Sequence, residues 1–390
     1  MIKEGAVVLD IEPPAVLSRS AEVFYNPEMA FDRDLSVGVV AAFGRRLGRP
    51  INVCDPLAGS GVRGLRYLLE VPTVERAVLN DINPKAFEAI RRNVELNGLS
   101  GSCEVYREDA NILLHRLRGR FEVVDIDPFG SFVPFLDGAL RALREGGLLG
   151  LVATDLGLPC GAYPRACYRL YGVRPMRLGY GHEVALRIYI AAVVRRAAQW
   201  DKAFSPLFSF VDGHHARLFG RVESGARKAD LALSELGFLS HCFQCEFRVL
   251  GKEPIGSCPY CGAETKSVGP LWVGRLSDPE FALEVGEELD SRGYEEAARL
   301  ARRLSIEAKI YTPGYHTHDL ARAWGLKPPP LKPLIRSLRE RGYNALRAHW
   351  DPYIVKTDAP FEVLREVVSS VTEPAPKASD DQDPCQRGAP

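Results

Sequence analysis

Residues Ile51 to Glu70 read INVCDPLAGSGVRGLRYLLE. An apolar strand, INVCD, enters a turn dense in glycine and leaves as a helix through GLRYLLE. The turn holds Gly59, Gly61 and Gly64, a complete G-x-G-x-x-G, and Asp81 follows about one βα unit later at the end of RAVLND. Glycines at that spacing let backbone approach a ligand closely, and an acid ending the next strand can bind ribose hydroxyls. A bare glycine turn or an NAD site would carry the same letters.

Working outward from that stretch, strands and helices alternate as far as Asp155. RAVLND is the second strand. The helix PKAFEAIRRNVELNG follows, with Pro84 in its first turn and Gly98 past its end. CEVYRED is the third strand and ANILLHRLRG its helix; FEVVDID is the fourth. The run FVPFLDGALRALREGG predicts a helix with Leu136, Ala139, Leu140 and Leu143 on one face, and GLLGLVATD is the fifth strand. Strands separated by helices imply a parallel sheet with right-handed crossovers, and ligands then bind outside the carboxyl ends of the strands. Four of those ends carry an acid: Asp55, Asp81, Asp109 and Asp127. FSPLFSFVDGHHARLFGRV reads as a hairpin turning near Asp212-Gly213, able to close the sheet as an antiparallel edge.

Two features favour S-adenosylmethionine over NAD. Asp55 stands just before the glycines, where a carboxylate would repel a pyrophosphate but suits an ammonium and a sulfonium. After the third strand, Asp109 can hold an adenine amino group, with the Ala110 backbone N–H facing a ring nitrogen. The fourth strand ends VVDIDPFGS, Val123 to Ser131. An exocyclic base amine is a poor nucleophile because its lone pair is delocalised into the ring. A carboxylate or carbonyl at Asp127 can accept hydrogen bonds from such an amine and stabilise the positive charge that develops on it. Phe129 can stack on the base, and Gly130 leaves room for the ring. Asp125 faces a helix N-terminus or supports Asp127.

NPEMAFDRDLS, DPLAGSGVRGLR, LNDINPKA, EDAN, DIDPFGS and GPLWVG together resemble the tRNA (guanine-26, N2)-dimethyltransferases, the Trm1 family, from about residue 3 to 355. The resemblance implies a Rossmann-like class I methyltransferase sheet, tRNA as substrate and S-adenosylmethionine as methyl donor. By motif match it implies cofactor contacts from Arg33, Arg63, Asp81, Asp109 and Ala110, with Asp127 catalytic. The arginines suit a methionine carboxylate, so Arg33 must fold back over the pocket. Asp32 stands where that family commonly carries Asn.

Cys242-x2-Cys245 and Cys258-x2-Cys261, twelve residues apart, have the spacing of a structural Zn2+ ribbon. Beyond them HDLARAWG, PPPLKPLIRSLRERG and YNALRAHWDPYIVKTD read helix, helix, wing. Leu331, Leu334, Ile335 and Leu338 form the buried stripe of the second helix, and Lys332, Arg336, Arg339 and Arg341 lie on its other sides. The expected organisation is a methyltransferase domain over 1–235, a zinc module over 236–272, a winged-helix-like tRNA-binding α+β domain over 273–372, and a disordered tail over 373–390. Loop histidines at 214, 215, 316 and 318 read as polar rather than ligating.

Net charge is zero, which argues against a wholly basic nucleic-acid binder, yet residues 291–350 carry 12 Lys+Arg against 5 Asp+Glu. The N-terminus lacks a signal-peptide core and no apolar run reaches 18 residues, so a cytoplasmic protein that does not enter a membrane is expected. Two readings compete with methyl transfer to a tRNA guanine: an amino-methyltransferase for another nucleic-acid base, and a non-catalytic zinc and winged-helix nucleic-acid binder. The second leaves the Asp127 turn unexplained.

Overall fold

The computed structural model describes residues 1–12 and 22–372; the tail expected to be disordered lies outside them. The chain opens with a small hairpin, β1 (Ile2–Glu4) and β2 (Val7–Leu9), and helix α1 (Ala30–Leu47). The alternating region then follows as β3 (Ile51–Asp55), α2 (Val62–Glu70), β4 (Val74–Asn80), α3 (Pro84–Leu96), β5 (Cys103–Tyr106), α4 (Ala110–Arg116), β6 (Phe121–Ile126), α5 (Leu136–Ala142) and β7 (Leu143–Ala153). Next come α6 (Pro164–Tyr171), α7 (Gly181–Ala198), β8 (Lys202–Asp212), β9 (His215–Ser224) and α8 (Ala226–Ser234). A three-stranded sheet, β10 (Leu236–His241), β11 (Arg248–Gly251) and β12 (Lys266–Trp272), precedes α9 (Pro279–Ser291) and α10 (Glu295–Glu307). The last described elements are β13 (Tyr315–His316), α11 (Thr317–Trp324), α12 (Leu331–Glu340), β14 (Ala345–Arg347), β15 (Ile354–Thr357) and α13 (Phe361–Ser370).

The main sheet has seven strands in the order β5-β4-β3-β6-β7-β9-β8. The first five are parallel, and the β8–β9 hairpin closes the far side in antiparallel pairing, as its sequence implied. Strand neighbours point to opposite faces, and both faces are covered. Val124, Ile126, Leu149 and Leu151 pack with α4, α5 and α7. Val53, Leu79, Val123 and Leu148 pack with α1, α2 and α3. Helices α9 and α10 return to this second core: Phe281, Val285, Leu289 and Ala301 bury against the face that α1 covers.

The helix expected to run through Leu143 ends at Ala142, and Leu143 opens β7 by pairing with Phe121. Its side chain stays in the same core, so the apolar face was read correctly while the ladder claimed the backbone. The apolar run from Glu183 to Val194 lies inside α7, a helix buried against the sheet. Among the described residues no helix is long and apolar enough to cross a membrane. Inside α7, Glu183 accepts from Arg187 at 2.9 Å and meets Lys356 of β15 at 3.0 Å, all three almost wholly buried. These ions tie the last small sheet, β13-β15-β14, to the body built on the main sheet.

Candidate active site

The carboxyl ends of β3, β4 and β6 open into one cleft of about 440 Å³. It is lined by the glycine loop, Asp55, Asp81, Asp127, Phe129, Arg33 and Arg63, and by Phe24 to Asn26 from the segment before α1. Gly59 and Gly61 take φ of +56° and +82°. A Cβ on Gly59 would meet the Phe24 carbonyl at 2.9 Å, and one on Gly64 would meet Leu79 at 2.2 Å. The first glycine thus admits the covering segment, and the last seats α2 on β4. Asp81 fixes the loop itself: one oxygen accepts from the Gly59 N–H at 2.9 Å and the other from the Asn83 N–H at 2.9 Å.

Asp127 stands at the rim of β6, where Pro128, Phe129 and Gly130 turn the chain. Gly130 has φ +93°, a conformation that favours glycine. Thr154, at the end of β7, clamps it: the Gly130 N–H donates to Thr154 Oγ1 at 2.7 Å, and the Thr154 N–H donates to the Gly130 carbonyl at 2.9 Å. Phe129 is 48% exposed, with its ring against Phe24 in an edge contact at 4.8 Å. An exposed aromatic on a rigid turn is poised to meet a flat ligand.

Beneath the turn lies a buried charge cluster that the sequence did not announce. Arg63 donates to Asp127 Oδ2 at 2.6 Å and to Ser36 at 2.9 Å, and pairs with Asp32 at 2.9 Å. Arg217 of β9 grips Asp125 with two bonds of 2.7 and 2.6 Å, and Tyr67 donates to Asp125 at 2.5 Å. Asp125 therefore answers an arginine and a tyrosine, not a helix N-terminus, and supports Asp127 through the cluster. Burial alone would push the Asp32 carboxyl up, but Arg63, Arg217 and His215 together hold it far below the usual range. His215, read as a plain loop residue, lies 3.5 Å from Asp32, and burial is outweighed by that acid so that its pKa rises. His316 and His318 pack near Tyr353, remote from these residues in the fold.

Arg33 lines the cleft, yet its Nε and Nη2 form a bidentate pair with Glu4, both at 2.6 Å, and Nη2 also donates to the Asn26 carbonyl. Glu4 comes from β1, so the amino-terminal hairpin anchors a residue of the wall. Asp55 is the contrasting case. Its Oδ1 is buried with no hydrogen-bond partner among the described residues. Burial first, then Asp125 and Asp127, push its pKa up to about 8 against the pull of Arg63. Asp109 caps α4, accepting from the N–H groups of Asn111 and Ile112 at 2.8 and 3.2 Å. It and Ala110 stand at the next strand end and do not line the cleft.

The cleft suits an elongated ligand with a cationic end. A buried carboxyl oxygen without a partner (Asp55 Oδ1) marks the cationic position, and a glycine cradle and Asp81 mark the polar middle. In the turns that join β10, β11 and β12, the sulfurs of Cys242, Cys245, Cys258 and Cys261 all lie within 4.8 Å of one another, with two pairs at 3.5 Å. Tetrahedral zinc with Zn–S bonds of about 2.3 Å separates its sulfurs by roughly 3.8 Å, so four thiolates so placed fit such an ion.

A sheet of this order, with a glycine loop after its first strand and an acid-Pro-aromatic turn after its fourth, defines an α/β methyltransferase. The profile of the N2,N2-dimethylguanosine tRNA methyltransferases matches residues 5–369. A tRNA (guanine(26)-N(2))-dimethyltransferase of Methanothermobacter thermautotrophicus is 39% identical over 95% of this chain and 98% of its own. A tRNA (guanine(26)-N(2)/guanine(27)-N(2))-dimethyltransferase of Aquifex aeolicus is 36% identical over 96% of both chains. The structure of Trm1 from Pyrococcus horikoshii with S-adenosyl-L-methionine superposes with a TM-score of 0.83 at 33% identity, covering 94% of this chain and 98% of that one. The chain belongs to the N2,N2-dimethylguanosine tRNA methyltransferase family.

Proposed function

We propose that the protein transfers methyl groups from S-adenosylmethionine to the N2 amine of guanine 26 in tRNA, giving N2,N2-dimethylguanosine. The observation that carries this is Asp127: a carboxylate on a clamped turn, opening into a cleft with a cofactor-type glycine loop, in a chain of this family. Arg63 holds Oδ2 of Asp127 and leaves Oδ1 for the incoming amine. Hydrogen bonds from the amine to Asp127 localise the nitrogen lone pair and stabilise the charge that grows there. The N–C bond forms as the methyl–sulfur bond breaks, and the proton shed by the amine passes to the Asp127 carboxylate. Phe129 holds the base plane. When bound, S-adenosylmethionine supplies an electrophilic methyl group. Asp81 would hold its ribose, Asp109 and Ala110 its adenine from the neighbouring strand end, and Arg33 and Arg63 its carboxylate, with Asp55 serving its cationic end.

The four cysteines hold Zn2+ in a structural role, since four sulfur ligands leave no open position. Their module joins two bodies. Leu239, Val268 and Leu271 pack in the main core, while Cys245 and Phe247 pack against Phe361 and Trp324 of the carboxy-terminal cluster. Helices α11 and α12 with the β14–β15 wing form a winged helix that meets tRNA. In support, a groove of about 760 Å³ between α10, α12 and β14 is lined by Arg303, Lys332, Arg336, Arg339 and Arg347. Leu334 and Leu338 bury the opposite side of α12. Phosphates bound there position the substrate without reading its sequence. These assignments would make 273–372 a unit that begins with two helices packed on the methyltransferase core.

The test is transfer from labelled S-adenosylmethionine to a tRNA transcript with guanine at position 26, beside the same transcript with adenine there. Dimethylguanosine from the first alone is expected. Label in neither, or equal label in both, would refute the reading.

A further inference from the structure

Between Asp155 and Glu183 the chain carries four arginines, Arg165, Arg169, Arg174 and Arg177, and no acid. The first two lie on α6, where helical spacing separates two faces. Cys167 and Tyr171 are buried, while Arg165, Tyr168 and Arg169 are exposed together on the other side. Tyr163, just before the helix, is 63% exposed and Tyr168 51%. Arg174 and Arg177 follow in exposed positions, with the Arg174 guanidinium 4.9 Å from the centre of the Tyr168 ring. Among the described residues none of the four arginines pairs with a carboxylate.

The buried face fixes where this surface stands. Tyr171 packs its ring near Phe132 and Tyr189, at 6.1 and 5.0 Å between centres, and its hydroxyl stands 2.7 Å from Ser131 Oγ and 2.7 Å from Asp155 Oδ2. Ser131 directly follows the turn from Asp127 to Gly130. At its other end the segment packs on the carboxy-terminal body, since a side chain at Gly179 would collide with Asp319 of α11. A cationic and aromatic strip thus runs from the turn that bears Asp127 to the body that holds the arginine-lined α12 groove. We propose that this strip binds the tRNA backbone next to the target nucleotide. Arg165, Arg169, Arg174 and Arg177 hold phosphates, and Tyr168 stacks on an exposed base. The proposal rests on the guanine-26 reading. Unpaired guanidinium groups repel one another and match phosphate oxygens in pairs. Exposed rings among them suit the faces of RNA bases. An acidic protein would also satisfy the charge. A strand that delivers one nucleotide to Asp127, however, must lay its neighbours on the surface around that turn, so RNA is the partner that has to meet α6.

The test measures tRNA affinity without cofactor, by filter binding from about 50 to 200 mM salt. Arg165→Ala combined with Arg169→Ala should weaken binding by about fivefold or more and flatten the logarithmic salt slope by about 1.4–1.8, the share of two phosphates. Arg91→Ala combined with Arg92→Ala on α3 removes the same charge from another surface and should leave affinity within about twofold and the slope unchanged. Thermal melting and calorimetry with S-adenosylmethionine should match wild type in both, showing that each variant is folded. A benzophenone photocrosslinker in place of Tyr168 should mark nucleotides adjoining position 26. Wild-type affinity and slope in the α6 variant, an equal loss in the α3 variant, or crosslinks confined to nucleotides remote from position 26 would overturn the proposal. Dimethylguanosine made by wild type in the same tRNA would then leave the guanine-26 reading intact. A wild type that makes none would refute that reading, and with it the ground for this one.

Discussion

Binding of the methyl donor should expel a proton from Asp55. In the free protein its pKa is pushed up to about 8, chiefly by burial and by Asp125. At pH 7 roughly nine in ten molecules therefore carry the proton. A cationic group of the cofactor arriving about 4–6 Å away, at an effective dielectric near 20, favours the ionised form by about 3–4 kcal/mol, or roughly 2–3 pKa units. Bound Asp55 would titrate near pH 5–6. The sign follows: between about pH 6 and 8 the ligand binds the deprotonated form, so affinity rises with pH, approaching tenfold per unit, and levels off above 8. Isothermal calorimetry at pH 7 in buffers of low and high ionisation enthalpy should show about 0.9 proton released. Asp55→Asn should abolish both the release and the slope. A wild-type affinity that is flat from pH 6 to 8, with heats independent of buffer, would refute the placement of Asp55 beside positive charge. Without ligand the same group acts oppositely on folding. Its raised folded pKa gives stability that is full below about pH 4 and lost as pH climbs through 8.

Asp127→Ala should abolish transfer, by a factor of about a thousand or more, while calorimetry still detects the cofactor; strong residual turnover would remove Asp127 as the acceptor. Arg336→Glu should weaken tRNA binding and shallow its dependence on salt concentration by about one counterion; an unchanged affinity would place the α12 groove away from RNA. Cys258→Ser should release zinc, measured by atomic absorption, and lower the melting temperature more than it lowers the activity of the protein that stays folded. Lys356→Met should destabilise the fold by about 3 kcal/mol in denaturant unfolding, since it strips a partner from a buried carboxylate. Adding Glu183→Gln should restore part of that, and additive losses would show that the two side chains are uncoupled.

Much of this protein was legible from local pattern. Strand and helix periods recur within a few residues, so the five parallel strands with the four helices between them, the glycine loop and the β8–β9 hairpin could be read directly. Asp55, Asp81 and Asp127 were placed at one rim because a parallel sheet puts all its carboxyl ends on one edge. The cysteine pairs were legible for the same reason, since a knuckle is a local turn. Only the end of α5 slipped, where a ladder bond to Phe121 outcompeted one more helical residue.

Contacts distant in sequence were not legible. Nothing near Arg33 foretells Glu4, and nothing near Asp32 foretells Arg217, which lies 185 positions away. Asp32 reads as an ordinary acid in a helix; folding seals it between two arginines and a histidine, where charge must be paired because water is absent. The same holds for Glu183 and Lys356, and for the return of α9 and α10 to cover α1. Local sequence determined which groups stand at the rim. The tertiary structure decided which of them are neutralised and which remain open to a ligand, because burial and charge pairing depend on what the whole chain brings within a few ångströms.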